Sequence, residues 1–463
     1  MGRARHGPRD SAGASSAGRR AVFSNRRERD PKSRRGGPRL GHRRAHGERS
    51  RRHARHHARA LRWRSGGAAG PSGARTGPVI GPVIGPPIGR DVIYFDHNAT
   101  APIDVEALRV AIATVSAAPA NPSSVHAAGR RARAAVERAR LQVALALDVK
   151  PSELTFTSGA TEALHLAVAG LVRSGDHVLI SAVEHAAALG ACHRVGAQIE
   201  VVDVDGFGRL TPEAFARRLR PETRLVIVMR AQNELGNLYP VAEIAAAVAP
   251  VPVLCDVTQA FGKIPVRIPE LGVRAAVISG HKVGAPSGVG VLYAAPGACT
   301  RPVFMGGPQE RGRRAGTENV LGIVALGEVC ARLDERVKRT HELGPLRDRL
   351  ADELRARLLG FHEHGDAAAR LPNTLSFRLE GLAGDLVLPA MDLEGFCLSS
   401  GSACASGSLT PSPVLLALGL SEASAREGLR VSLGQGTTTV EIDRFLDVFP
   451  PVVARIRAVL LEN

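Results

Sequence analysis

The sequence predicts an α/β fold: a large domain on a mostly parallel seven-stranded sheet, a smaller α+β domain after it, and an extension in front with no fold of its own. Three observations carry that expectation. After Arg90, short β-branched runs alternate with Ala/Leu/Arg-rich helical stretches, the pattern of βαβ units. The chain has 463 residues, enough for two or three domains and a buried core. Charge breaks at the same place. Residues 1–90 hold 23 basic and 4 acidic residues, a surplus of +19, whereas residues 91–463 hold 38 and 40, a balance of −2.

That break decides what the overall charge of +17 means. A protein that wraps nucleic acid with its folded body carries basic residues there, and this one does not. The first ninety residues are rich in Arg, Gly, Ala, Ser, Pro and His and close on the repeat GPVI-GPVI-GPPI, Gly77 to Ile88. Such a chain buries too little apolar surface to offset its ordering entropy, so disorder is expected. Three readings compete for it: a tail for nucleic acid or another anionic surface, an organelle transit peptide, and translated upstream sequence ahead of a later start. The third is favoured. After Met1 the next methionine is Met229, so a later start would use a codon such as that of Val79, Val83 or Val92.

The strands are expected at Leu154–Phe156, His177–Ser181, Ile199–Val204, Leu225–Met229, Val253–Asp256, Ala275–Ser279 and Gly290–Tyr293. Helical patterns occupy Ala128–Leu147 and Pro212–Leu219, and one long helix is expected from about Leu321 to about Leu358. The domains are therefore placed at 1–90 (extension), 91–340 (large α/β) and 341–463 (small α+β), with the first folded residues free to pack on the small domain. No run approaches the ~20 apolar residues of a transmembrane helix. Cys192, Cys255, Cys299, Cys330, Cys397 and Cys404 are too sparse for a disulfide framework, which suggests free thiols in a reducing, cytoplasmic setting.

Four segments carry chemistry. Ser279-Gly280-His281-Lys282 follows an apolar strand, and a lysine in such a polar loop is placed to act as nucleophile and base; a surface lysine is the alternative. Thr157-Ser158-Gly159-Ala160-Thr161-Glu162-Ala163 runs from a strand into a helix, where small residues let backbone N–H groups approach a phosphate; an ordinary N-cap is the alternative. Asp256 ends a strand, where a carboxylate can pair with a protonated pyridine nitrogen or simply cap a turn. Ser399–Ser408, a Ser/Gly run without core-forming period, reads as a mobile loop that exposes Cys404 as a candidate nucleophile or an incidental thiol. Cys397 sits in a more apolar context and reads as a core thiol, and neither spacing suggests a metal site. One chemistry accounts for all four: pyridoxal phosphate acting on a sulfur substrate.

Residues 93–463 resemble the cysteine desulfurases of the nitrogen-fixation and iron–sulfur-assembly type, enzymes of the class V aminotransferase family and of pyridoxal phosphate fold type I. The resemblance runs in order through YFDHNAT (94–100), NPSSVH (121–126), FTSGATEA (156–163), VEHAA (183–187), QNELG (232–236), DVTQAFGK (256–263), SGHK (279–282), QERGRRAGTENV (309–320) and SSGSACASGS (399–408). The SSGSAC pattern is similar to group I of that family. The resemblance implies that Lys282 joins the cofactor and moves the Cα proton, and that His185 stacks on its ring and assists acid–base steps. Asp256 would bind the pyridine nitrogen, with Gln259 and Asn233 near the phenolic oxygen. Ala160, Thr161, Ser279, Gly280 and His281 would hold the phosphate. Thr317 would reach the phosphate of a partner subunit, so that the site needs a homodimer. Arg430, with Asn233, would take the substrate carboxylate. Cys404 would attack the sulfur of L-cysteine, leaving alanine and an enzyme persulfide for an acceptor protein.

The sequence departs from the family at Ser287, where a second lysine is usual, at Pro413, where PSHV is common, and at Ala405, where Thr or Ser is usual. These bear on loop geometry and rate, and none removes a catalytic group. The acceptor stays open between an iron–sulfur scaffold, a tRNA-thiolation protein and a DNA-modification system. Two other functions compete: a different class V enzyme, such as a selenocysteine lyase or aminotransferase, and a nucleic-acid-binding protein acting through the basic tail. No membrane partner is expected.

Overall fold

The computed structural model describes residues 92–117, 119–298, 301–400 and 410–462. The expectations for residues 1–90, and those for Cys404 and Ala405, lie outside the described residues.

Seven strands form the large sheet: β2 (Leu154–Thr157), β3 (His177–Ser181), β4 (Gln198–Val202), β5 (Thr223–Met229), β6 (Val253–Asp256), β7 (Ala275–Ser279) and β8 (Gly290–Ala294). β1 (Ile93–Tyr94) lies elsewhere, paired with β11 (Phe396–Cys397). The order in the sheet is β2-β8-β7-β6-β5-β3-β4. Only β8 runs against its neighbours, pairing antiparallel with both β2 and β7. The central strands are apolar along most of their length because both faces of the sheet are covered. Leu179, Val226, Val228, Cys255, Ile278 and Val291 pack into one core, and the alternate residues Val178, Ile180, Ile227, Leu254, Val277 and Leu292 into the other. That is the period-2 alternation of a strand expressed on both sides at once.

A second sheet joins β9 (Phe361–Glu363), β10 (Thr374–Leu379) and β12 (Gly428–Ser432) in the order β12-β10-β9, all antiparallel. Its core gathers Phe377, Phe445 and Phe449 with Ile93 and Phe95, so the first folded residues are packed among the last. The core changes over between Leu333, which packs with the large sheet, and Leu343, which packs with the small one.

The single long helix expected from Leu321 to Leu358 is instead three: Val320–Cys330, Leu333–His341 and Gly344–Arg357. Arg332 leaves helical geometry, with φ −120° and ψ 22°. Pro345 opens the third helix, at a position where a missing N–H costs nothing. The helical pattern at Pro212 also stops earlier, at Ala216, and β4 ends at Val202.

Candidate active site

In an open parallel sheet, ligands bind beyond the carboxyl ends of the strands. Here Thr157, Ser181, Met229, Asp256 and Ser279 all end strands at that edge. The segments that follow them enclose a cavity of about 470 Å³. Ala160, Thr161, His185, Asn233, Asp256, Gln259, Ser279, His281, Lys282 and Arg430 line it, so these sequence-predicted residues meet in one place.

Lys282 closes a one-turn helix, Gly280–Lys282, directly after β7. Its Nζ donates to the main-chain carbonyls of Asn98 at 2.7 Å and Ala99 at 2.6 Å. Beside it, His281 Nδ1 lies 3.2 Å from Thr100 Oγ1. Burial and the Lys282 charge push His281 down to about 4, so its ring is neutral at ordinary pH.

His185 caps the helix Ala186–Val195, its Nδ1 accepting the Ala187 N–H at 3.1 Å. An Nδ1 that accepts leaves the proton of the neutral ring on Nε2. The preceding Glu184 is buried, and its Oε1 accepts from Ser181 Oγ at 2.6 Å and from the Met229 N–H at 2.7 Å. Desolvation pushes that carboxyl up to about 7. Asp256 is also buried, and its Oδ1 accepts the Thr258 N–H at 2.9 Å. Burial raises its carboxyl, opposed by the Thr258 hydrogen bonds and then by His185 and Lys282.

At the other end of the cavity, the helix Ala160–Leu171 begins at Gly159, with no side chain capping it. Its first N–H groups are thus left to a ligand, and the helix dipole favours an anion there. Room for this comes from β8. A Cβ on Gly290 would lie 2.5 Å from the Gly159 Cα, so the turn before the helix seats against the sheet because residue 290 is glycine. The nearby carboxylate of Glu162 is compensated: Oε2 accepts the Ser158 N–H at 2.7 Å, and Oε1 accepts Arg314 Nε at 3.0 Å. Hydroxyl and N–H donors at one end, an amine at Lys282 and a carboxylate at Asp256 match the phosphate, aldehyde and ring nitrogen of pyridoxal phosphate. The donor set therefore fits that cofactor.

Arg430, at the centre of β12, is 1% exposed and still reaches the cavity wall. Its Nη1 donates to the Asn233 carbonyl at 2.9 Å and its Nη2 to Asp96 Oδ1 at 2.5 Å, while Nε has no partner. A carboxylate arriving here would share the guanidinium with Asp96.

Two expected residues fall outside this cluster. Gly280 does not line the cavity; a Cβ there would lie 2.7 Å from the Val289 side chain, so its glycine serves packing. Thr317 borders a separate cavity of about 40 Å³ with Glu310 and Arg314. Among the departures, Ser287 lines the main cavity, and Pro413 is the first residue of the helix Pro413–Ala417, capped by Ser412. A proline is well accommodated at that position. The described cysteines Cys192, Cys255, Cys330 and Cys397 are free, and Cys397 is only partly buried.

Sequence reasoning gave no role to Asn98, Glu162, Lys263 or Arg314, although each lies inside a quoted segment. Asn98 is the largest omission. Its side chain donates to the Asn233 carbonyl and to Thr374 Oγ1, and its carbonyl receives Lys282 and Gln259.

The chain belongs to the class-V aminotransferase family, which it matches over residues 93–445. A cysteine desulfurase from Trichormus azollae is 39% identical over 379 residues, covering 79% of this chain and 94% of that one. The cysteine desulfurase IscS of Dictyoglomus turgidum is 36% identical over 380 residues, covering 79% and 96%. The solved structure of a NifS-like protein from Rickettsia africae superposes with a TM-score of 0.73 at 31% identity, covering 78% and 99%. Within its family the chain is a cysteine desulfurase, an enzyme dependent on pyridoxal phosphate. Among the described residues no helix is long and apolar enough to cross a membrane.

Proposed function

We propose that this enzyme removes sulfur from L-cysteine in the cavity at the strand ends and carries it away as a persulfide on Cys404. The observation that supports the reading is the convergence of residues from seven separate segments on a single cavity with Lys282 in its wall. The helix N-terminus at Gly159, with Thr161, Ser279 and His281, would hold the cofactor phosphate, and Asp256 its ring nitrogen. Bound there, the cofactor supplies an electron sink for charge developing at the amino acid Cα.

The residues supply the rest. Arg430 orients the substrate carboxylate. Lys282 Nζ takes the Cα proton and later returns one. Asp256 holds the proton on the ring nitrogen, and a carboxylate raised by burial is well matched to share it. His185, with its proton on Nε2, can donate toward the cavity. The Cys404 thiolate attacks the substrate sulfur; the new S–S bond forms as the C–S bond breaks, and the electron pair left on carbon is protonated to give alanine. A free thiol of pKa about 8.5 is only a few per cent ionised at neutral pH, so a neighbouring base or cation must assist. We place Thr317 against the phosphate of a second subunit, which makes the working unit a dimer, and the persulfide is delivered to an acceptor protein.

The test is incubation with pyridoxal phosphate and L-cysteine, following alanine and persulfide on Cys404. With one equivalent of L-cysteine, equal amounts of both are expected, and Cys404→Ser should abolish the persulfide. Bound cofactor without alanine would overturn the reading.

A further inference from the structure

Behind the cavity wall lies a lysine that none of these steps uses. Lys263, at the end of the turn after β6, is 7% exposed. Its Nζ donates to Asn98 Oδ1 at 2.6 Å and to Gln259 Oε1 at 2.5 Å. The charged groups acting on it are both cations, Lys282 and Arg430, and with burial they push its basicity far below that of an ordinary lysine. A neutral amine has two N–H groups, and two amide oxygens stand ready to receive them.

This arrangement dictates which way the amides face. Gln259 turns its oxygen to Lys263, and its Nε2 donates to the Asn98 carbonyl at 2.9 Å. Flipping the amide would set its oxygen against that carbonyl and leave one amine N–H without its acceptor. Gln259 also lines the cavity, so its second N–H is the group left for a ligand. The same Asn98 carbonyl receives Lys282 Nζ, so a single residue ties the orientation of Gln259 to the seat of the catalytic amine.

We propose that Lys263 is a positioning residue that fixes the Asn98 and Gln259 amides so that Gln259 presents an N–H donor to the ring oxygen of the cofactor. This rests on the placement of Gln259 beside that oxygen. Lys263 itself touches neither cofactor nor substrate in this scheme.

The test titrates cofactor-free enzyme with pyridoxal phosphate and with its analogue lacking the ring hydroxyl, following visible absorbance. The native enzyme should prefer pyridoxal phosphate. Lys263→Met should lose about ten-fold of that preference, the scale of one hydrogen bond to a charged oxygen, while binding the analogue as before. Lys263→Arg, which can only donate, should restore part of it. If Lys263→Met does not fold, Lys263→Gln, whose amide can turn either way, replaces it with the same expectation. A native enzyme without preference overturns the placement of Gln259 and the inference with it. A native preference that survives in the Lys263 variant overturns the inference alone.

Discussion

Arg314 Nε sits 3.0 Å from Glu162 Oε1 across 152 residues of sequence. The pair joins the first turn of the helix Ala160–Leu171 to the segment that carries Thr317. Glu162 would otherwise place a bare carboxylate beside an incoming phosphate, and the partner guanidinium and the Ser158 N–H both hold that carboxyl below its usual range against the opposing effect of burial. Arg314→Gln should therefore weaken pyridoxal phosphate binding about ten-fold and leave phosphate-free pyridoxal nearly unaffected. Adding Glu162→Gln should recover most of the loss. Equal weakening for both ligands would mean that the pair serves only the fold.

Gly290→Ala puts a methyl group 2.5 Å from the Gly159 Cα and 2.8 Å from the Ile278 carbonyl oxygen, both backbone atoms that cannot swing aside. Overpacking of this kind costs about 1–3 kcal/mol. The strain falls on the turn before the helix Ala160–Leu171, so cofactor affinity should drop along with the thermal midpoint. A variant with native cofactor affinity would show that the turn has room to move.

Arg140 and Glu310 form a bidentate pair with side chains 3% and 2% exposed, and Glu310 also accepts the Phe156 N–H at 2.8 Å. Glu310 adopts a left-handed backbone, φ 48°, which the pairing holds in place. Removing one partner strands a buried charge. Arg140→Leu should cost about 3–5 kcal/mol in urea unfolding, and Arg140→Leu with Glu310→Gln clearly less. Similar losses in both would point to lost packing.

Glu184 offers a test in pH. Its carboxyl titrates at about 7 in the fold and near 4.5 when unfolded, because burial disfavours the charge. Between those values the unfolded chain releases the proton and the fold keeps it, so stability declines as pH rises across that window and levels off above it. Glu184→Gln keeps both hydrogen-bonded contacts at its oxygen and removes the titration. Relative to the native enzyme it should gain stability from pH 5 to 7, of the order of 3 kcal/mol at most. A parallel decline in both proteins would assign the pH effect to another group, such as Glu234, which burial also pushes up to about 7.

The fold was legible because buried strands are written as short apolar runs, and most of the seven fell where Val, Ile and Leu cluster, as in Leu225–Met229 and Val253–Asp256. The long helix misled because its helical composition continues across Arg332 and Leu343, where the chain turns between two cores. The cavity-lining residues at strand ends stood out by position and chemical type. Asn98 could not, because its partners Asn233, Thr374 and Lys282 are brought to it by the fold alone. Lys263 stayed hidden for a related reason: a lysine following Gly262 in a turn gives no sign in sequence that it is buried.

The segment around Asn98 sets an order of events. It is among the first folded residues to leave the ribosome, yet its partners Asn233, Lys282 and Ser432 come 135, 184 and 334 residues later. β1 likewise waits for β11. The carbonyls that receive Lys282 Nζ therefore reach their final setting only when the last strand of the small sheet has been made. A nascent or C-terminally shortened chain can lay down the large sheet and still lack a finished place for its lysine.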